Sequence, residues 1–448
     1  MKRIKVKKIV IFLALFVLVY IGGSYYLGLK HSQRYDEIFT QKLPKDIVVK
    51  NSHKNGIFKT KNISDVVFSK EYLANILGLN SSDIKEDLRV EISTTIIHPF
   101  FSLVSGTKGE GFIKILSYKD IADKFLKDKQ IVEYSFEVKG KNNQKVHLQT
   151  TQIEYKDEMG EIKFSPIVAD IEYISGGISK VNSKQESFKL NFKENDLEFE
   201  LDDIIYNTVF DEPLKFDYGN LYNLVNSSSE FGFKDFILKL EDKKNGELKL
   251  RFSNYNDKSR VNVKNSIVDI KSISSANKLI IDVDNEKIQL NNIKSNISLN
   301  NFNKDFYDKL FKELQNNTLA NLNEEDLQDF IKLFIEKNPS INLENLSFKY
   351  DDKYDFELNF KTGVKKFDLS NPMEGLKNIY LDGKTIFSKD IIDLFLANDT
   401  ETKEMLVNSQ IIKESGDNYE VSFKYDKNQM DVIINDKIGI NQFLSTQF

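Results

Sequence analysis

Alternation of apolar and polar residues is the dominant pattern along the chain, and it predicts β-strands. Two neighbouring segments show it most clearly, with these apolar residues at every second position: Phe188, Leu190, Phe192, Leu197, Phe199 and Leu201. Side-chain direction in a strand repeats every two residues, so all six residues share one face if the two strands pair. The polar residues between them predict an opposite face in contact with water. The pattern therefore indicates strands that are apolar on one side only.

Short turns connect neighbouring strand segments and predict consecutive antiparallel hairpins. The clearest turn is Asn245-Gly246, and similar polar turns occur at Tyr350 to Asp355 and at Asp426 to Asn428. Strands joined in this way form a meander. The sequence thus predicts a β-dominated α+β fold, in which a long, curved antiparallel sheet carries a few amphipathic covering helices.

The helical segments are fewer, and their apolar residues recur at a spacing of three and four. Two segments form a predicted pair, with apolar residues as follows: Phe306, Leu310, Phe311 and Leu314 in the first, and Leu327, Phe330, Ile331 and Phe334 in the second. Asn323 is the expected N-cap of the second helix, and Asn338-Pro339 the expected stop. Shorter helices are expected within residues 69–78, 117–127 and 388–397. We expect a β-rich region over residues 30–300, and over residues 301–448 the helix pair with C-terminal hairpins packed on the same sheet system.

The N-terminus combines a basic cluster with a long uncharged apolar run. Five Lys and Arg residues lie among the first eight, and no charge interrupts residues 9–29. About 21 helical residues span a hydrocarbon core of roughly 30 Å. The basic cluster favours a cytoplasmic N-terminus over residues 1–8, a transmembrane anchor over residues 9–29 and a body on the outer side of the membrane. Residues that characterise the anchor are Ile9, Phe12, Phe16, Tyr20, Gly22, Gly23 and Tyr26.

A cleaved signal peptide is the alternative interpretation of the same run. Gly22 and Ser24 would form a small-residue cleavage site after the apolar region. However, the run continues through Tyr25, Tyr26 and Leu27, where a mature N-terminus is usually more polar. The anchor is therefore the favoured interpretation, and membrane lipid is the first expected partner.

Composition narrows the possible chemistry. The chain has 448 residues and no cysteine, which excludes disulfides, thiolate metal sites and thiol nucleophiles. Its formal net charge is -5 although the N-terminus is basic, so the body repels nucleic-acid phosphates. We expect no nucleic-acid binding and no cofactor.

Sequence motifs of catalysis are absent. The chain contains no phosphate-binding loop, no serine-hydrolase elbow and no zinc-protease motif. None of its four histidines has a spacing that would bring two of them together. His53 and His98 stand beside aromatic or turn-forming residues, where a structural hydrogen bond is the expected role. We therefore expect no catalytic, cofactor-binding or metal-binding residues.

Several short stretches, in order along the chain, resemble the YdgA-like family of bacterial envelope proteins of unknown function. They are "GGSYYLG" (Gly22 to Gly28), "SHKNGIF" (Ser52 to Phe58), "IIHPFFSL" (Ile96 to Leu103), "ISGG" (Ile174 to Gly177), "NPSINLENLSFK" (Asn338 to Lys349) and "MDVIINDKIGINQF" (Met430 to Phe443). The chain departs from the family pattern in lacking a glycine between His98 and Pro99 and in having Asn428 before the last strand. The resemblance implies an uncleaved inner-membrane anchor with a periplasmic ectodomain.

Three functions remain open from the sequence. The first is a non-enzymatic envelope protein that presents an apolar sheet or groove to lipid or to an envelope protein partner, on a concave side expected between residues 88 and 300. The second is a membrane-tethered assembly or adhesion scaffold that uses its sheet edges. The third, a periplasmic hydrolase that works through carboxylates, lacks any paired motif.

Overall fold

A computed structural model describes most of the chain beyond its first 16 residues. The described residues are 17, 19–33, 35–37, 45–77, 80–99, 106–126, 130–139, 143–193, 196–215, 224–242, 246–283, 286–315, 323–396 and 399–441. Within them, 22 strands form one large antiparallel sheet. The prediction of a β-dominated fold is confirmed.

The strands lengthen towards the middle of the chain. The first nine are β1 (Ile47–Asn55), β2 (Lys59–Phe68), β3 (Leu88–Ile97), β4 (Thr107–Ile115), β5 (Val132–Lys139), β6 (Asn143–Thr150), β7 (Ile153–Lys156), β8 (Gly160–Phe164) and β9 (Ile167–Ile174). The six long strands are β10 (Gly177–Phe192), β11 (Leu197–Leu214), β12 (Ser227–Asp242), β13 (Gly246–Lys264), β14 (Ile267–Val283) and β15 (Glu286–Asn303). The last seven are β16 (Ser340–Tyr350), β17 (Tyr354–Val364), β18 (Ile379–Ser388), β19 (Lys413–Ser415), β20 (Asn418–Asp426), β21 (Asp431–Ile434) and β22 (Ile438–Gly439).

Helices are shorter and lie between the strands. Helix α1 covers residues 19–33, and residues 35–37 are also helical. The others are α2 (Lys70–Leu77), α3 (Lys119–Leu126), α4 (Lys304–Gln315), α5 (Glu324–Ile335), α6 (Pro372–Asn378), α7 (Lys389–Phe395) and α8 (Thr400–Asn408), with a 3-10 turn at Ser81–Asp83.

Strand pairing mostly follows chain order, as expected for a meander. Strands β1 to β6 pair in sequence, β6 then pairs with β9, and β9 pairs with β10. Strands β12 to β18 also pair in sequence, followed by β20, β21 and β22. Strand β11 lies between β10 and β12.

The chain divides into two compact units. Unit 1 comprises residues 1–156, 162–186 and 210–221, and unit 2 comprises residues 157–161, 187–209 and 222–448. Unit 2 therefore holds most of the long strands together with helices α4 to α8.

Local sequence signals account well for the predicted helices and turns. The side chain of Asn323 accepts a hydrogen bond from the Asp326 N–H and caps α5, as predicted. Strands β12 and β13 pair as a hairpin from Asp242 and Gly246, at the place of the predicted turn, of which Asn245 lies outside the described residues. Helices α6 and α8 were not predicted, since their apolar residues do not form a clear stripe.

The helices of unit 2 bury apolar side chains against parts of its sheet. Ile392 and Ile412 pack with Tyr419 of β20. At another place, α5 contributes the buried residues Phe330 and Ile335, and both α4 and α5 contact β15. Each helix covers only a few strands.

Candidate functional site

The long strands of unit 2 carry rows of apolar residues on one face of the sheet. Directly paired residues form three such rows across β12, β13, β14 and β15: Leu240, Leu248 and Val283; Leu238, Leu250, Ile281 and Ile288; and Phe236, Phe252, Leu279 and Leu290. Phe199 of β11 extends the last row, because its ring lies 5.4 Å from the ring of Phe236. We call this set of rows the apolar face.

The opposite side of the same strands is charged. The sequence neighbours of the second apolar row are also directly paired and form a charged row: Lys239, Lys249, Asp282 and Lys287. Ion pairs cross this side, with Lys239 Nζ 3.2 Å from Glu247 Oε1 and Arg251 Nη2 3.1 Å from Asp235 Oδ1. Such a sheet has one face suited to water and one suited to apolar contacts.

Asparagine and aspartate residues in the left-handed conformation keep the apolar face continuous along the strands. Asp203, Asn254 and Asn292 have φ values of 50°, 51° and 53°. A left-handed residue interrupts the strand alternation, and Asn and Asp adopt this conformation more readily than other side chains. The rings of Phe252 and Tyr255 accordingly lie 5.3 Å apart, although they are three residues apart in sequence.

The six residues of the sequence-predicted face lie in unit 2. Phe188 and Phe199 are in contact, with ring centroids 5.5 Å apart, and Phe199 joins them to the apolar face. Five of the six are half-buried, and Phe192 is exposed. None of the six side chains is fully buried.

Part of the apolar face is open to solvent. Leu240, Val283 and Ile288 are exposed, and their apolar partners Leu248 and Ile281 are only half-buried. The helices of unit 2 contact β15, β18 and β20. The first row ends on β15 at Glu286, which pairs with Val283, whereas the second and third rows are apolar across all four strands and form a continuous apolar surface.

Unit 1 contains a different arrangement, in which helix α1 packs on the sheet through small and polar residues. Ser24 and Ser32 are buried, and Ser32 Oγ donates a hydrogen bond of 2.9 Å to Asn55 Oδ1. A Cβ atom on Gly28 would lie 2.7 Å from Cε1 of His98, so only glycine permits this close approach. We call this helix–sheet interface the polar seam.

His98 is the central side chain of the polar seam. It is fully buried, and its Nε2 lies 2.8 Å from Oγ1 of Thr60. Burial lowers the pKa of His98 below its usual value, because the charged ring would lose its hydration. The ring of His31 lies 5.9 Å from that of His98. The expectation that no two histidines come together is thus wrong, because strand pairing places the end of β3 beside α1.

His53 lies between two oxygen atoms. Its Nε2 is 2.8 Å from Oδ1 of Asp36, and its Nδ1 is 2.8 Å from Oδ1 of Asn62. Asp36 Oδ1 also accepts a hydrogen bond of 2.8 Å from the Asn51 amide. A general base needs a ring nitrogen that can reach a substrate proton, and both nitrogens of His53 are occupied. The geometry thus favours a structural hydrogen-bond network.

Three hydroxyl groups continue this network through the sheet. Ser64 Oγ donates to Asn51 Oδ1 at 2.6 Å, and Tyr134 OH lies 2.5 Å from Thr94 Oγ1. Burial raises the pKa of Tyr134 to about 12, so its phenol stays neutral. In the described part of the chain, no three His, Asp or Glu residues are grouped so that they could hold a metal ion.

The predicted anchor residues are only partly described. Ile9, Phe12 and Phe16 lie outside the described residues, whereas Tyr20, Gly22, Gly23 and Tyr26 belong to α1. Among the residues that the structure describes, no helix combines the length and the apolar character needed to cross a membrane.

The polar seam was missed by the sequence analysis. Its signal is the recurrence of small residues at Ser24, Gly28 and Ser32, four positions apart and therefore on one side of a helix. Tyr25, Tyr26 and Leu27 lie between the first two of these small residues and make the stretch resemble part of the apolar run.

Comparison with known proteins assigns the chain to a family. The family model of a bacterial protein of unknown function, DUF945, matches residues 5–437. Because the match covers nearly the whole chain, the protein belongs to the DUF945 family. No curated protein and no solved structure matches the chain.

Proposed function

We propose that this protein is a non-enzymatic, membrane-anchored component of the bacterial envelope that binds acyl chains or an apolar segment of a partner protein on its apolar face. In this proposal the N-terminus is cytoplasmic, a single span crosses the inner membrane, and the parts of both units that follow the span are periplasmic. The resemblance to YdgA-like proteins is compatible with membership of the DUF945 family and supports this location.

The observation that carries the proposal is the contrast between the two sides of the long strands. Leu238, Leu250 and Ile281 form one row, and their sequence neighbours Lys239, Lys249 and Asp282 form a charged row on the other side. Apolar surface that stays partly in contact with water costs free energy, at roughly 25 cal/mol per Å². Contiguous apolar patches on proteins commonly mark sites for lipid or protein partners. A surface of this kind supports binding of flexible, uncharged chains.

The basic N-terminus and the uncharged run at residues 9–29 support anchoring. An anchor would hold the apolar face close to its expected lipid ligand.

The experiment that tests the proposal measures phospholipid that copurifies with the full-length protein. We would compare the wild type with the double variant Leu250→Asn and Ile281→Asn, which places two amides on the apolar face. Lipid mass spectrometry should find less phospholipid per protein molecule in the variant. Lipid bound around the anchor would be the same in both proteins and would cancel in the comparison.

The matched control is the double variant Lys249→Gln and Asp282→Asn, which changes the adjacent paired residues on the charged side. It should retain the wild-type amount of phospholipid. Equal phospholipid in all three folded proteins would contradict lipid binding and would favour the membrane-tethered scaffold.

A further inference from the structure

Helix α1 is amphipathic in the opposite sense to a helix on the surface of a soluble protein. Its small and polar residues Ser24, Gly28 and Ser32 face the sheet. Its outward side carries large apolar residues instead, with Tyr26 58% exposed and Val19 also exposed. A helix surrounded by water normally buries its apolar stripe and exposes its polar one. The inverted arrangement indicates that the outward side of α1 contacts an apolar medium.

The turn between β1 and β2 extends this outward apolar surface. Ile57 is 44% exposed at the turn, and so is its neighbour Phe58. The ring of Phe58 lies 5.6 Å from that of Tyr20 in α1. Ile97, which pairs with Lys59 just after the turn, is exposed too. The apolar turn and the apolar side of α1 are therefore adjacent, and we call them together the seating surface.

Lysine residues flank the seating surface. Lys54 lies directly opposite Lys61 in the β1–β2 pair, and Lys59 follows the turn; all three are exposed. Two like charges facing each other across a strand pair destabilise that pair. Anionic headgroups beside an apolar layer would offset the repulsion, because a negatively charged membrane surface attracts basic residues.

We propose that the seating surface inserts Ile57 and Phe58 into the interface of an anionic bilayer and so holds unit 1 directly on the membrane. The polar seam then fixes α1 rigidly to the sheet, because Gly28 allows close contact with His98 and Ser32 is hydrogen-bonded to Asn55. This inference rests on the anchoring part of the proposed function and adds a second, separate contact with lipid. The bilayer is the occupant, since the uncharged run of residues 9–29 extends into the first part of α1 and is continuous with its apolar side.

The test uses the depth of single fluorescent labels in the bilayer. The chain contains no native cysteine, so a cysteine introduced at one position is labelled uniquely. We would introduce it separately at Ile57, Val17 and Val48 in the full-length protein, reconstituted in vesicles that contain phosphatidylglycerol. Val17 reports on the anchor, and Val48 is the matched control because it is an exposed β-branched residue near the other end of the β1 strand.

Brominated lipids should quench the labels at Ile57 and Val17 and leave the label at Val48 unchanged. Quenching at Val17 without quenching at Ile57 would overturn the proposal that the seating surface inserts into the bilayer, and it would still support the anchor. Loss of quenching at both positions would overturn the anchor as well. Iodide dissolved in the water tests whether protein covers the turn instead. If neither iodide nor brominated lipid quenches the label at Ile57, a protein partner or a second copy covers the turn and the proposal is wrong.

The role of the lysines is tested in the same vesicles. The double variant Lys54→Gln and Lys61→Gln should reduce quenching at Ile57, as should replacement of phosphatidylglycerol by phosphatidylcholine. Unchanged quenching under both conditions would overturn the part of the proposal that specifies an anionic bilayer.

Discussion

Two valines of strand β14 show that the two ends of the sheet in unit 2 differ in burial. Val268 is completely buried, whereas Val283 is 46% exposed. The neighbouring strand β15 repeats the contrast, since Phe302 is 7% exposed and Ile288 is 45% exposed. Residue type therefore does not decide which end forms a core.

The difference comes from the helix pair. The ring of Phe302 lies 5.8 Å from that of Tyr307 in α4 and 5.7 Å from that of Phe334 in α5. The helix pair thus completes a core at the end of the strands that holds Phe302. At the other end Val283 and Ile288 remain exposed, and we interpret that open end as the binding surface.

The largest effect should follow from Phe302→Ala at the covered end. Removing a buried phenylalanine typically costs about 3–5 kcal/mol, because the transfer free energy is lost and a cavity remains. Urea unfolding of the full-length protein in detergent, followed by circular dichroism, should show this loss. The matched variant is Phe192→Ala, whose ring is exposed beside the open end. An equal loss for both variants would contradict the difference between the ends.

The same contrast between buried and exposed positions applies to histidines. His98 is fully buried and hydrogen-bonded to Thr60, so His98→Ala should destabilise the protein by about 1–3 kcal/mol. The control is His147→Ala, because His147 is exposed and its hydrogen bond of 2.9 Å to Asp170 Oδ1 is exposed as well. It should change stability by less than about 1 kcal/mol.

The stability that depends on His98 should also depend on pH. Burial lowers its pKa in the folded protein below the ordinary histidine value of 6.5, so the unfolded chain binds the proton more readily. This contribution is therefore fully present above the unfolded pKa and is lost as the pH falls through the folded pKa. Unfolding curves recorded below pH 6.5 should show a smaller pH dependence for His98→Ala than for the wild type. Identical slopes would show that the ring does not titrate in this way.

A smaller effect is expected at the cap of the covering helix α5. Asn323→Ala removes the acceptor for the Asp326 N–H and should cost about 1 kcal/mol. The conservative variant Asn323→Ser keeps an acceptor and should retain most of the stability. If the helix covers its end of the sheet independently of its cap, neither variant will change the urea midpoint.

The smallest effect on stability should come from Ile288→Asn at the open end. A substitution at an exposed position away from special features usually changes stability by less than about 0.5 kcal/mol. The same variant should nevertheless reduce the phospholipid that copurifies with the protein. A large loss of stability would mean that Ile288 belongs to a core in solution.

Much of this fold could be predicted from local sequence. The turn at Asn245-Gly246, the cap at Asn323 and both helices of the pair follow from residues within a few positions of each other. The alternation around Phe199 also predicted which side of its strand is apolar. These signals are local, so they do not depend on knowing which strands lie under which helix.

The candidate sites depend on contacts that the sequence does not show. Gly28 meets His98 only because β3 ends beside α1, and the two residues are far apart in sequence. Likewise, the period-two pattern is the same around Val268 and Val283, and only the position of the helix pair leaves Val283 exposed. The interruptions of alternation at Asn254 and Asn292 further hide the continuity of the apolar face.

Site-specific photocrosslinking tests the central claim, that the apolar face binds acyl chains or an apolar partner segment, most directly. A photoreactive phenylalanine analogue would replace Leu250 or, in a separate protein, the adjacent Lys249 of β13, in the full-length protein produced in a bacterial host. After irradiation, mass spectrometry should find phospholipid or a partner protein attached at position 250 and neither at position 249. Crosslinks from position 250 only to residues of the same chain would show that this face is a closed core and would contradict the account.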